Sequence, residues 1–199
     1  MLKYLFLDTE LGGRDLKYSL LQAYFMVTDE NFNVLGDLSL QLKPDDSNYI
    51  VNGKSMTVNG IDLIQHDKVA VSYKESKSLL YNFLLKCVTG LPPNQFPLTP
   101  ANIRLTPVGH GVKGDINHII DKLISIGSWE QFCTYHYIDT SVVLQFLRAC
   151  GKMPQDINGS ISALANYFGI IPEGELHEAK TDTILTMKIY QKMVEIGKK

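Results

Sequence analysis

Apolar residues follow two different periods along the chain, and the change from one to the other marks out the elements. Tyr4 to Leu7 is continuously apolar, as in a strand covered on both faces, and Gly12-Gly13 then lets the chain turn away. Lys17 to Thr28 and Val34 to Leu42 read as extended segments joined through Asp29-Glu30-Asn31. The second alternates Leu38, Leu40 and Leu42 against Ser39 and Gln41, the pattern of an antiparallel hairpin packed on one face. Pro44, Asp45, Asp46, Asn52-Gly53 and Asn59-Gly60 punctuate the following stretch, which reads as a loop region with one helical turn near Ile61 to Ile64.

From Tyr73 to Cys87 the period becomes helical, with Leu79, Leu80, Phe83, Leu84 and Cys87 on one face of a crossover helix. Thr89 to Ala101 carries Gly90, Pro92, Pro93, Pro97 and Pro100, which forbids regular structure there. A surface insertion fits this stretch better than a substrate-facing cover. Ile103 to Val108 resumes an extended pattern that ends at Gly109-His110-Gly111, and Ile116, Ile119, Ile120, Leu123 and Ile124 mark an amphipathic helix beginning at Asp115. Tyr135 to Ile138 reads as a last short strand. Asp139-Thr140-Ser141 then offers N-caps for a helix to Cys150 that turns Val142, Val143, Phe146 and Leu147 inward. Ser160 caps a helix bearing Ile161, Leu164, Ala165 and Phe168, closed by Gly169 and Pro172, and a final helix runs from about Glu178 to Glu195.

The 199 residues and 45% apolar content suit one domain, 1–199, with a full core. A net charge of -2 excludes a surface that is basic throughout, so any nucleic-acid contact must be confined to a cleft. The three cysteines, Cys87, Cys133 and Cys150, are odd in number and widely spaced, which suits reduced thiols used for core packing in a cytoplasmic protein. The apolar start is too short for a signal peptide, and no later run approaches a membrane span.

Four stretches carry candidate chemistry. In a strand Asp8 and Glu10 share a face while Thr9 points away, so two carboxylates aim at one spot; such a pair calls for a proton or a hard cation such as Mg²⁺ or Mn²⁺. An Asp-x-Glu also arises by chance, so the pair alone defines nothing. Asp182 precedes Leu185 by three residues and Ile189 by seven, placing a carboxylate on an apolar helix face, where it needs a salt bridge, a backbone donor or a metal. Asp115 opens a helix after a strand end, so it is an N-cap, a metal-facing group or both. His177 lies about 140° round an ideal helix from Asp182 and therefore belongs to the loop entering it. There it is either a surface histidine or a base within reach of a water.

Taken in order, Asp8-Thr9-Glu10, Gly109-His110 with Asp115, and His177-Glu178-Ala179-Lys180-Thr181-Asp182 resemble the three motifs of the DEDDh 3′-to-5′ exonucleases. This superfamily includes the proofreading subunits of bacterial replicative polymerases (DnaQ-like), ribonuclease T and oligoribonuclease. The resemblance spans nearly the whole chain, and the third motif is its most specific part. It implies an α/β, ribonuclease H-like fold: a five-stranded mixed sheet, three strands antiparallel plus two, with helices on both faces. It also implies two ions of Mg²⁺ or Mn²⁺ per site, one held by Asp8, Glu10 and Asp182, the other by Asp8 and Asp115. In this reading His177 takes the proton of the attacking water, and nucleoside 5′-monophosphates leave the 3′ end of single-stranded DNA or RNA, DNA slightly preferred. Thr9, Leu11 and His110 fall where relatives contact substrate, Leu11 as a wedge against the terminal base.

Two departures stand out. Leu11-Gly12-Gly13 replaces the usual Thr-Thr-Gly, and His110-Gly111 with Gly114 replaces His-Asn and a Phe; both bear on how the last nucleotides are gripped. Lys113 and Lys180 are near enough in sequence to touch phosphates or to be simply solvated. The competing readings are a catalytically silent module that binds nucleic acid or a polymerase, and an ordinary α/β domain whose acids are caps and surface charges. A silent module is expected to have lost a ligand or the histidine, and none is lost here. Homodimerisation is open.

Overall fold

The computed structural model describes residues 2–91, 93–95 and 104–198. Six strands form one mixed sheet in the order β4-β3-β2-β1-β5-β6. Its spine is β1 (Lys3–Leu11), antiparallel to β2 (Leu20–Asp29), which in turn pairs antiparallel with β3 (Val34–Lys43). On the other side β5 (Leu105–Gly109) runs parallel to β1, and β6 (Ile138–Asp139) parallel to β5. The sixth strand, β4 (Val71–Ser72), exceeds the five expected. It is two residues long and extends the edge because the chain entering the next helix pairs in parallel with Leu42 and Lys43.

Alternation along β1 sorts the core into two layers. Leu5 and Leu7 face one side, packed with Phe25, Leu40 and Leu42 against α3 (Tyr73–Thr89), α4 (Lys113–Lys122) and α5 (Ile126–Phe132). Tyr4 and Phe6 face the other, against α8 (Ala179–Gly197) through Ala179 and Tyr190. Beyond the sheet, α8 also joins α6 (Thr140–Ala149) and α7 (Ile161–Tyr167) through Leu144, Leu147, Leu164, Leu185, Ile189 and Met193. No described helix is long and apolar enough to cross a membrane.

Several local expectations give way. The stretch read as loop contains α1 (Gly53–Asn59) and α2 (Leu63–Val69): Asn52 accepts from Ser55 N at 2.9 Å and Asp62 from Ile64 N at 2.9 Å as N-caps, while Gly60 ends α1 at φ 65°. The Asn-Gly pairs that signal turns thus start and stop a helix. Helix α5 has two buried residues, Trp129 and Phe132, too few for a periodic signal, and was not anticipated. The strand expected over Tyr135–Ile138 shrinks to Ile138–Asp139 and leaves Tyr135 and Tyr137 exposed. Helix α6 is rotated about its axis relative to the expected face. Leu144 and Leu147 meet α8, while Val142 and Phe146 are exposed at 64% and 66%. Leu79 is likewise exposed on α3.

The first hairpin strand starts at Leu20 rather than Lys17, and α4 starts at Lys113, two residues before Asp115. Asp139 and Ser160 do cap α6 and α7, accepting from Ser141 N and Ala163 N. Cys87 and Cys133 are buried free thiols, whereas Cys150 is exposed and takes no part in the core. Residues 92 and 96–101 of the Pro-rich stretch, and the onset of the strand expected from Ile103, lie outside the described residues.

Candidate metal centre and flanking clefts

Tight backbone approaches at two glycines shape the end of β1. A Cβ on Gly12 would stand 2.7 Å from Ile50 O, and one on Gly109 would stand 2.6 Å from Val112 Cγ2 and 3.0 Å from Leu7 O. Their absence lets the 50–52 segment and the β5–α4 turn close on the strand end. There Asp8 and Glu10 emerge on the α8 side, and Asp182, in the first turn of α8, meets them. The ligand oxygens of these three residues lie within 4.8 Å of one another.

Asp115 arrives from the opposite layer. It accepts a hydrogen bond from Thr9 Oγ1, so the residue pointing away from the carboxylate pair anchors the fourth acid. Asp115 is therefore no N-cap: it lies in the first turn of α4 after Val112, which makes no side-chain cap. The structure brings Asp8, Glu10 and Asp182 into one cluster and leaves Asp115 beside it, close enough for its charge to act on Asp8.

Burial and mutual repulsion act on all four. Asp8 is held well above the usual carboxylate range by burial and then by Asp115, Glu10 and Asp182. Glu10 is pushed up to about 8 by burial, then by Asp182 and Asp115. Burial raises Asp115 to about 7 against the hydrogen bonds of Thr9, and raises Asp182 against the opposing pull of His177 and its backbone N–H. Four acids this close cannot all ionise without a proton or cation among them.

The Oδ1 of Asp182 is a buried oxygen with no hydrogen-bond partner among the described residues, while its Oδ2 accepts from His177 N at 3.3 Å. An unsatisfied buried carboxylate oxygen beside two more carboxylates is a donor set suited to a hard divalent cation.

His177 sits in the loop before α8, exposed and in the left-handed region at φ 65°, a conformation uncommon for a non-glycine residue. His110, half-buried, bonds through Nδ1 to Thr140 Oγ1 at 2.8 Å. That hydroxyl donates onward to Gly109 O, so it accepts from an Nδ1–H. Burial lowers the His110 pKa, against the raising charge of Asp139.

Two clefts flank the acids. One of about 470 Å³ is lined by Thr9, Glu10, Leu11, Tyr18, Asn52 and Lys54; the other, of about 630 Å³, runs past His177 over β2 and β3. Asn59 lines both. The lining residues of α1 and of the β2–β3 pair were not singled out from the sequence. Strand register, which is not visible in spacing alone, is what aligns them with Glu10.

No model of a known protein family matches the chain, and no curated protein does. Solved structures do. Escherichia coli exonuclease I in complex with a dT13 oligonucleotide superposes with a TM-score of 0.70 at 18% identity, covering 96% of this chain and 41% of that one. A product-bound exonuclease I gives 0.68 at 18% over 98% and 43%, and the zinc-bound E. coli complex with single-stranded DNA gives 0.70 at 18% over 98% and 40%. The likeness shows the fold: this chain is ribonuclease H-like, with a mixed sheet layered by helices. It spans about two fifths of the length of exonuclease I.

Proposed function

We propose that this chain is a metal-dependent 3′-to-5′ exonuclease that releases nucleoside 5′-monophosphates from single-stranded ends, DNA slightly preferred over RNA. The observation that carries the reading is the convergence of Asp8, Glu10 and Asp182 within 4.8 Å, with Asp182 Oδ1 buried and without a partner among the described residues. The fold shared with an exonuclease crystallised on oligonucleotides supports it.

Asp8, Glu10 and Asp182 would hold one Mg²⁺ or Mn²⁺, and Asp8 with Asp115 a second. Such a pair of ions supplies charge neutralisation at the attacking and leaving oxygens and acidifies water. The chain's own residues do the rest. Thr9 fixes Asp115 through its hydroxyl. His177, outside regular helix and exposed, takes the water's proton on its imidazole. Leu11, half-buried in the lining of the 470 Å³ cleft, packs against the terminal base, and His110, held by Thr140, contacts the substrate.

The test is digestion of 5′-labelled single-stranded DNA and RNA with Mg²⁺ or Mn²⁺, with EDTA and Asp8→Ala as controls. A ladder shrinking from the 3′ end and abolished by both controls is expected, with DNA the faster substrate. Binding without shortening would instead identify a non-cutting module.

A further inference from the structure

The register of the sheet carries Glu10 into a row of carboxamides. Glu10 stands opposite Gln22 on β2, and Gln22 opposite Gln41 on β3. Directly opposed side chains share a face and stand about 5 Å apart, so the two amides lie roughly 5 and 10 Å from Glu10 across the strands. On that face β3 is open: Asp37 and Ser39 are exposed and Gln41 half-buried. Both carboxamides line the 630 Å³ cleft, a volume within the ordinary range for small-ligand sites, together with Asn59, Gln65 and His177.

Hydrogen-bond accounting shows which of these groups are free. Asn59 is spent, donating to Leu11 O and accepting from Ile61 N. Gln65 Oε1 accepts from Lys68. The carboxamides of Gln22 and Gln41 have no partner among the described residues, and both line the cleft.

Charge narrows the ligand. The cleft carries Asp62, Glu175 and Glu178 against one lysine, Lys68, whose ammonium is already engaged by Gln65. A phosphodiester backbone is repelled from such a surface, whereas an uncharged group rich in donors and acceptors is not. A nucleobase is such a group, and on the Hoogsteen edge adenine alone of the four presents, in N6–H and N7, the adjacent donor and acceptor that one carboxamide matches with two hydrogen bonds.

We infer that Gln22 and Gln41 form a base-reading subsite selective for adenine on the nucleotide beside the acidic cluster, so that hydrolysis depends on sequence. This rests on the exonuclease reading above. The experiment compares, on the 199-residue chain with Mg²⁺, the rates of shortening of 5′-labelled dA12, dT12 and dC12 by wild type, Gln22→Ala/Gln41→Ala and Gln41→Glu, with thermal unfolding as a check on folding. Wild type should favour dA12 over dT12 by on the order of tenfold, the order a two-bond match discriminates, and the double variant should bring the ratio towards one. Gln41→Glu replaces a donor–acceptor pair with acceptors alone and should shift preference towards dC12, whose N4–H₂ is a donor. Equal rates in wild type, or an adenine preference that survives both variants, overturns the inference while leaving the exonuclease intact. If wild type shortens none of the three, the exonuclease reading falls, and anisotropy of labelled dA12 and dT12 decides on the subsite separately: tighter binding of dA12 that the double variant loses upholds it, and equal affinity or no binding removes it.

Discussion

The contact between β1 and α8 has two halves of opposite character. In the lower half Tyr4, Phe6, Phe32 and Tyr190 interlock with ring centroids 5.6 to 6.4 Å apart, and Phe6 is fully buried. In the upper half Asp8, Glu10 and Asp182 are drawn together within 4.8 Å, Glu10 and Asp182 almost as buried as the rings below. The two antiparallel elements advance together, because the eight helical residues from Asp182 to Tyr190 and about four strand residues each cover roughly 12–13 Å. The difference teaches where the stability of the acidic site comes from. Like charges do not assemble themselves; the aromatic half fixes the helix, and the upper half inherits the geometry.

If that division holds, changes in the upper half should alter chemistry with little loss of stability, and changes in the lower half should do the reverse. The largest effect expected is on activity: His177→Ala, at an exposed loop position, should slow 3′ shortening by about 10²–10⁴-fold, the usual worth of a general base, with the unfolding midpoint unmoved. A parallel fall in stability would assign His177 to the scaffold instead. Next comes Phe6→Ala, which should destabilise by about 3–5 kcal/mol and lower the melting temperature by about 6–20 °C in a chain of this size. Calorimetry showing a shift under about 3 °C would mean that the rings do not hold the helix.

A divalent cation should raise stability by about 2.7 kcal/mol at a hundredfold excess over its Kd, and the gain should depend on pH. Glu10 moves from an ordinary 4.5 to about 8 and Asp115 from 3.8 to about 7. The folded chain therefore binds these protons more tightly than the unfolded one, and stability in EDTA should fall as pH rises from about 4 through about 8. Urea unfolding at pH 5 and pH 8.5, with and without Mg²⁺, checks this: the loss at high pH should shrink when the cation is present. The smallest change in stability expected is from Asp182→Asn, which keeps the shape and removes one of the crowded charges. Without cation, at a pH where its neighbours are ionised, it should stabilise the fold slightly by relieving repulsion, while abolishing both the cation-dependent gain and nucleolysis. A destabilised Asp182→Asn protein would show that repulsion does not govern the upper half.

Much of this was legible along the chain wherever an element is long and periodic. Leu185 and Ile189 placed Asp182 on the buried face of α8, and Ser160 and Asp139 announced the starts of α7 and α6. Short elements with little burial were hardly legible: α1, α2 and α5 have seven residues each and bury between them only His66, Trp129 and Phe132, and only the helical turn expected near Ile61 to Ile64 touched α2. The inward face of α6 was legible only in part: Val143 and Leu147 pack inward as expected, but Leu144 joins them in place of the exposed Val142 and Phe146, a choice made by the partner, α8. Asp115 looked like a cap by position, and its bond to Thr9, 106 residues away, made it something else.

By itself, then, the sequence determined that Asp8 and Glu10 share a face, that Asp182 is turned inward and that His177 lies off the helix, because each follows from the backbone period of a single element. Only the tertiary structure decided that the three carboxylates meet, that Asp115 joins them from the opposite layer, and that Gln22 and Gln41 line up with Glu10. Those relations depend on strand register and on which helix face meets which sheet face. Both are settled by the packing of residues far apart along the chain.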